Sequence, residues 1–128
     1  MQAAFITGYG GAEVMSFGAL PDAVPTEGQA LIEVHAAGVN PVELSMREGR
    51  FQKALPYSFP QVTGLDISGV VVRAPEGSGF RPGDEVDEGA IRAFVSQVYP
   101  LDRLPEAYAV METGRTRGKI VVDVRARS

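Results

Sequence analysis

Apolar and polar residues alternate over residues 29–37, as they do in a strand that buries one face. Glu33 and His35 fall on the polar side of this segment. The apolar side, which we expect to face the core, comprises Ala30, Ile32, Val34 and Ala36. Residues 67–73 form instead a continuous apolar, β-branched run, which is typical of a strand covered on both faces. We therefore predict that residues 67–73 form a central strand.

A short helix is predicted to begin at Asn40. Asn is a favoured N-cap, Pro41 suits the first helical position, and Glu43 completes a capping box. Gly49 is expected to end the helix.

A second helix is predicted over residues 102–113, because apolar residues recur there at helical spacing and Gly114 follows. Its apolar stripe consists of Leu104, Ala107, Tyr108 and Met111. Residues 119–124 alternate again and predict a last strand. Gly and Pro separate short extended pieces over residues 1–73, so the pattern is that of a mainly β chain with two short helices.

Composition narrows the function classes. The length of 128 residues fits one compact domain, and the net charge of −4 without a basic patch argues against a nucleic-acid partner. No cysteine and a single histidine leave too few ligands for a transition metal. The first nine residues lack a basic, apolar leader, and no apolar run is long enough to cross a bilayer. We expect a cytoplasmic protein that binds neither nucleic acid nor membrane.

The glycines at Gly77, Gly79 and Gly83 follow a predicted strand, but they do not form a dinucleotide-binding turn. Their spacing differs from G-x-G-x-x-G, Pro82 interrupts them, and the residues that follow look extended rather than helical. We interpret this stretch as a loop. No cofactor is therefore expected to bind this chain by itself.

Three segments carry a family resemblance: Ala37-Gly38-Val39-Asn40-Pro41-Val42-Glu43, Gly64-Leu65-Asp66-Ile67-Ser68-Gly69-Val70-Val71 and Phe80-Arg81-Pro82-Gly83-Asp84-Glu85-Val86. In this order they resemble the medium-chain dehydrogenase/reductase superfamily, and residues 99–121 are similar to its closing segment. The resemblance implies an alcohol-dehydrogenase-like catalytic domain with a GroES-like, partly open β-barrel.

The resemblance also implies an unusual domain organisation. In full-length relatives an NAD(P)-binding Rossmann domain, with some flanking catalytic-domain chain, lies between the Gly-Asp-Glu-Val strand and the closing segment. Here residues 1–86 are expected to join residues 89–128 near Asp87-Glu88-Gly89, so that residues 1–128 form a single domain and the Rossmann domain is absent. Relatives dimerise through that domain, so we expect a monomer.

Two positions indicate the branch of the superfamily. Zinc-dependent relatives carry a metal-binding cysteine where this chain has Asn40 and a metal-binding histidine where it has Leu65. The resemblance is thus to the zinc-free, quinone-oxidoreductase-like branch. It implies a parent enzyme that transfers hydride from NADPH to a quinone or enone, and a chain that is inactive without its nucleotide-binding domain.

Asn40 matches the family asparagine that faces the nicotinamide and the substrate, and it is therefore our candidate cofactor-binding residue. Its local sequence equally predicts a helix N-cap that uses the side-chain oxygen and leaves the amide donors free. Asp66 stands where zinc-dependent relatives have a glutamate behind the metal. It is a candidate for the cleft wall, with a structural hydrogen bond as the favoured interpretation.

Aromatic residues after the first helix are candidates for a substrate pocket. Phe51, Tyr57 and Phe59 are able to line an apolar pocket or to pin a proline-rich loop onto the core, and we favour the second interpretation. Relatives carry tyrosines where this chain has Ser45 and Phe51, which leaves the proton donor unassigned.

The other charged candidates have simpler interpretations. Arg47 and Arg50 are expected to be solvated on their short helix, and His35 is expected at the surface. Asp84 and Glu85 are neighbours on an extended segment and point to opposite faces, so they cannot share a substrate.

Two other functions stay open. A non-enzymatic ligand- or protein-binding β-barrel would bind a ligand without NADPH, and a co-chaperonin-like subunit would form a heptameric ring.

Overall fold

The computed structural model describes residues 1–87, 95–116 and 118–126. The strands, in chain order, are β1 (Gln2–Ile6), β2 (Met15–Ala19), β3 (Leu31–Val39), β4 (Gln61–Val62), β5 (Ile67–Arg73), β6 (Glu85–Asp87), β7 (Val95–Pro100) and β8 (Lys119–Asp123). The α-helices are α1 (Pro41–Arg47) and α2 (Leu104–Glu112), and short 3₁₀ helices span Ala12–Val14 and Leu101–Arg103. The chain is mainly β with two short helices, as predicted.

The strands form two open sheets. One has the order β2-β1-β4, and the other has the order β6-β5-β3-β8-β7. All neighbours are antiparallel except β7 and β8, which are parallel. The largest cluster of buried apolar residues comes from β1, β3, β8, α2 and the 3₁₀ helix before α2. Its members are Ala4, Val39, Leu101, Leu104, Ala107, Tyr108, Ile120 and Val122.

The predicted strand over residues 29–37 is confirmed as β3, which begins two residues later and ends at Val39. Residues 67–73 form a strand, β5, as predicted, but β5 is not the central strand of its sheet. β3 occupies the middle of the larger sheet, whereas β5 has only the three-residue β6 outside it. Gly69 and Val71 are buried, but Val72 is exposed, because only one face of β5 packs against the core.

Both predicted helices are confirmed. α1 begins after Asn40 with Pro41 in its first turn and Glu43 in a capping box, and Gly49 follows with φ of 78°. α2 buries Leu104, Ala107 and Tyr108. The last strand is also confirmed, and its inward residues Ile120 and Val122 are fully buried.

The glycine-rich stretch is a loop, as interpreted from the sequence. Gly77, Gly79 and Gly83 all have positive φ and lie in turns between β5 and β6. The two parts of the chain were predicted to join near Asp87-Glu88-Gly89. Asp87 is the last residue of β6, and Glu88 and Gly89 lie outside the described residues. Among the described residues, neither helix has the length and apolar character needed to cross a bilayer.

Candidate functional site

The start of helix α1 places Asn40 beside two other elements. β3 ends at Val39, Asn40 is extended with φ of −125° and ψ of 144°, and Pro41 begins the helix. The backbone N–H of Asn40 donates to Oε2 of Glu43 at 3.2 Å, which fixes the first turn. The side chain of Asn40 is thus held at the junction of a strand and a helix.

Asn40, Asp66 and Lys119 form a polar triad drawn from three parts of the chain. Asn40 Nδ2 donates to Asp66 Oδ2 at 2.9 Å, and Lys119 Nζ donates to the same oxygen at 2.8 Å. Lys119 Nζ also donates to Asn40 Oδ1 at 2.5 Å. A carboxylate and an ammonium therefore bracket the Asn40 amide and fix which end is the acceptor.

This geometry corrects one expectation. The sequence predicted that the Asn40 amide donors are free for a ligand carbonyl. Nδ2 instead donates to Asp66 and, more weakly at 3.3 Å, to Glu43 Oε1. The physical reason is that strand pairing brings Lys119 and Asp66 next to Asn40, a contact that the local sequence around the helix cap does not reveal.

Gly38 makes room for the polar triad. A Cβ atom at this position would lie 2.7 Å from Cε of Lys119 and 3.1 Å from Oδ2 of Asp66. The backbone N–H of Gly38 also donates to the Asp66 carbonyl at 3.0 Å. The Gly-Val-Asn sequence at the end of β3 thus allows the ammonium and the carboxylate to approach the backbone closely.

The charge of Lys119 acts on Asp66. The hydrogen bond from Lys119, followed by that from Asn40, lowers the pKa of the Asp66 carboxyl below its ordinary value. Because this folded-state pKa is depressed, the triad adds stability above the unfolded pKa of about 3.9, and this is lost as the pH falls through the folded value. Asp66 is 45% exposed, so solvent screening keeps the contribution small.

We expect Lys119→Met to raise the pKa of Asp66 toward its ordinary value, because the largest stabiliser of the carboxylate is removed. The measurement is a ¹³C NMR titration of the side-chain carboxyls. Lys53→Met is the control, since Lys53 is exposed in the turn after α1. Equal Asp66 titration curves in the two variants would contradict this assignment.

Beneath the polar triad, Glu43 forms the centre of a buried hydrogen-bond network. Its side chain is 2% exposed. Glu43 Oε1 accepts from the Leu65 N–H at 3.0 Å, and Oε2 accepts from the Tyr108 hydroxyl at 2.8 Å. Burial and the nearby Glu43 charge raise the pKa of Tyr108, so its hydroxyl stays a donor. Glu43 therefore joins α1, α2 and the loop before β5.

Arg47 corrects a second expectation, because it is 3% exposed rather than solvated. Its guanidinium bonds Glu112 Oε1 at 2.7 Å and the Gly10 carbonyl at 3.2 Å, and it lies 5.7 Å from the centre of the Tyr108 ring. The helix turns Arg47 inward on the side of Glu43, and Glu112 neutralises it. Arg50 is exposed, as expected, and pairs with Glu48.

The aromatic candidates separate into two groups. Tyr57 and Phe59 pack on Tyr9, with ring centres 6.0 Å and 5.0 Å apart, respectively, and the Tyr57 N–H donates to the Tyr9 hydroxyl at 2.8 Å. Both rings thus hold their loop against the half-buried Tyr9, as the loop-pinning interpretation expects, although Tyr9 does not belong to the buried core. Phe51 is 42% exposed after α1. The proposed pocket roles of Phe51 and Tyr57 stay predictions.

The remaining charged candidates contact groups close to them in sequence, and His35 is less exposed than the surface position expected for it. His35 is half-buried, with Nε2 3.6 Å from a Glu33 carboxylate oxygen on the same strand. Asp84 accepts from the Arg81 N–H in the turn before β6. Lys119 was missed as a site residue, although the Gly118-Lys119-Ile120-Val121 sequence of the closing segment was a signal that could have drawn attention to it.

Residues 18–122 match the sequence profile of the zinc-binding dehydrogenase family. The chain belongs to this family. Like the quinone oxidoreductases, it is a member of the medium-chain dehydrogenase/reductase superfamily.

Relatives of this dehydrogenase-family chain include oxidoreductases from animals and plants. It is 40% identical over 92 residues to the quinone oxidoreductase of Sus scrofa, covering 67% of this chain and 26% of the relative. It is also 40% identical over 90 residues to the 2-methylene-furan-3-one reductase of Solanum lycopersicum, covering 67% of this chain and 22% of the relative. The chain thus spans about a quarter of the length of these relatives.

Solved structures give the same family relationship. A probable oxidoreductase from Mycobacterium abscessus superposes with a TM-score of 0.61 at 34% identity, covering 67% of this chain and 27% of that one. The Escherichia coli quinone oxidoreductase, determined in complex with NADPH, superposes with a TM-score of 0.57 at 26% identity, covering 66% of this chain and 26% of that one. These similarities show that the chain contains an oxidoreductase-like domain.

Proposed function

We propose that this chain is the substrate-side domain of an NADPH-dependent, zinc-independent oxidoreductase that reduces quinones or enones. The observation that carries the proposal is the Asn40 amide, which the polar triad holds in one orientation at the end of β3. The relatives named quinone oxidoreductase and 2-methylene-furan-3-one reductase support the substrate class. In this role the polar triad forms a polar part of the cleft wall, and Asp66 and Lys119 keep the Asn40 amide in position.

The side chains around Asn40 do not fit a catalytic zinc ion, which supports a zinc-independent reaction. Zinc in catalytic sites is bound mainly by cysteine, histidine and carboxylates, but the chain has no cysteine. Asp66, the carboxylate beside the Asn40 amide, is already bonded to the Lys119 ammonium. Across residues 1–87, 95–116 and 118–126, no group of three or more histidine, aspartate and glutamate side chains is placed to hold a metal.

The described residues do not by themselves fit NADPH as a complete site. The turn that holds Gly77, Gly79 and Gly83 leads into strand β6 and not into a helix, so it lacks the following helix N-terminus that receives a pyrophosphate in a dinucleotide-binding turn. We therefore assign no hydride step to the isolated chain and propose that it is inactive alone. When NADPH is supplied by a nucleotide-binding domain, it provides the hydride, and this chain provides one wall of the cleft.

The test has two stages. NADPH titrated into the chain alone is expected to cause no saturable amide shifts, and 1,4-benzoquinone is expected to cause no loss of nicotinamide absorbance. A chimera that carries the nucleotide-binding segment of the Escherichia coli relative between residues 87 and 95 is expected to consume NADPH with 1,4-benzoquinone. Asn40→Ala in that chimera is expected to lower kcat/KM by about tenfold to a hundredfold, because the cleft wall loses the side chain that helps to position the substrate.

Gln52→Ala serves as the matched control, because Gln52 is an exposed amide in the turn after α1. Turnover by the chain alone would overturn the claim of inactivity. A folded chimera that binds NADPH but reduces neither quinone nor enone would overturn the oxidoreductase proposal and favour a binding module.

A further inference from the structure

A second, chemically different feature lies between the two sheets. It is a cavity of about 230 Å³, enclosed on several sides by aliphatic side chains. Residues from both sheets and from α2 line it, including Ala3, Ala4, Val34, Ala37, Leu104 and Val122. Ala3, Ala4, Ala37 and Gly38 are part of the wall, and these small residues leave space that larger side chains would fill.

The cavity is large enough to hold a small molecule. An apolar cavity of about 150 Å³ stays dry and binds benzene or xenon. The cavity here is larger, and its lining is dominated by hydrocarbon. It is partly open to solvent, because Met1 and Val62 in its lining are exposed, but its mainly hydrocarbon wall offers water few polar partners.

The two buried polar side chains of the cavity wall, Glu43 and Tyr108, are already hydrogen-bonded within the protein. The Tyr108 hydroxyl donates to Glu43, and Glu43 also accepts from the Leu65 N–H. No cationic side chain belongs to the described lining residues, and the N-terminal ammonium of Met1 is already paired with Asp22, so an anionic ligand would be desolvated with little compensation. Glu43 further disfavours anions by its own charge. The chemistry of the wall selects an uncharged, apolar molecule.

We propose that this cavity is a binding site for a small uncharged hydrocarbon-like molecule, about the size of a single substituted aromatic ring. The site requires neither nicotinamide nor the Asn40 amide, although Gly38 and Glu43 border both the cavity and the polar triad. It therefore holds whether or not the oxidoreductase proposal is correct.

The test uses benzene and toluene as probes of the folded 128-residue chain, followed by ¹³C-methyl NMR and thermal unfolding. Saturable shifts are expected at the methyl groups of Val34, Leu104 and Val122, together with a rise in Tm as probe concentration increases. Benzoate, a charged probe built on the same ring, is expected to bind at least about tenfold more weakly.

Ala37→Leu should fill the cavity and abolish the shifts, whereas Ala19→Leu, at the exposed end of β2, should preserve them. If Ala37→Leu fails to fold, the comparison of benzene with benzoate on the unaltered chain still decides the question. The proposal is overturned if benzene causes no saturable shift, if benzoate binds as well, or if the shifts fall on exposed methyls such as those of Val98.

Discussion

Gly69→Ala is expected to destabilise the chain by about 3 kcal/mol or more, because the added methyl has no space. An ideal Cβ at Gly69 would lie 2.1 Å from the carbonyl oxygen of Glu33 and 3.0 Å from its carbonyl carbon. These are backbone atoms of the neighbouring strand, so they cannot rotate away as a side chain can. The register pairs Gly69 with Val34, and relief of the clash would require separating β3 from β5.

Gly18→Ala is the matched control for this prediction. Gly18 also lies within a strand, but its Cβ would meet only Phe5 Cε1, at the ordinary contact distance of 3.9 Å. Alanine there is expected to be neutral or to stabilise by about 0.5 kcal/mol, through the unfolded chain. Urea unfolding measures both, and equal midpoints for the two variants would show that β3 and β5 tolerate a side chain between them.

Glu43→Ala is expected to have the second large effect, a decrease of about 3 kcal/mol in the free energy of unfolding. The substitution removes the acceptor for the Asn40 N–H, the Leu65 N–H and the Tyr108 hydroxyl at once. A buried donor without a partner keeps its full desolvation cost, and water restores only part of the network. Glu48→Ala, at the exposed end of the same helix, is expected to change stability by less than about 0.5 kcal/mol.

A double-mutant cycle separates this network from general helix damage. Glu43→Ala and Tyr108→Phe should couple by about 1 kcal/mol, because both changes remove the 2.8 Å bond between α1 and α2. The measurement is the free energy of unfolding of the two single variants and the double variant in urea. Strict additivity would mean that the Tyr108–Glu43 bond adds nothing to stability.

Local chemistry explains what the sequence could predict. The cap of α1 involves residues within one helical turn, so Asn40, Pro41 and Glu43 predict it without knowledge of the rest of the chain. The strand β3 was recognisable from its alternation, and α2 from its apolar stripe. The exposed face of β5 was not, because a valine-rich run has the same composition whether one face or both faces are covered.

The site was harder to predict than the fold because its members are far apart in the chain. Lys119 lies 79 residues from Asn40, and the Glu43–Tyr108 contact spans 65 residues. No local pattern contains such a pairing. Arg47 shows the same limit, since an arginine on a short helix is usually solvated, and its burial depends on Glu112 from the other helix.

The pairing of β3 with β8 makes the polar triad a reporter of strand alignment. Val39 lies opposite Ile120, so the next residues outward, Asn40 and Lys119, meet at the same end of the ladder. A slip of one residue would turn Ile120 toward the solvent and carry the ammonium into the core. The Lys119–Asn40 bond is available only in the correct alignment, so it selects against the shifted pairing as well as orienting the amide.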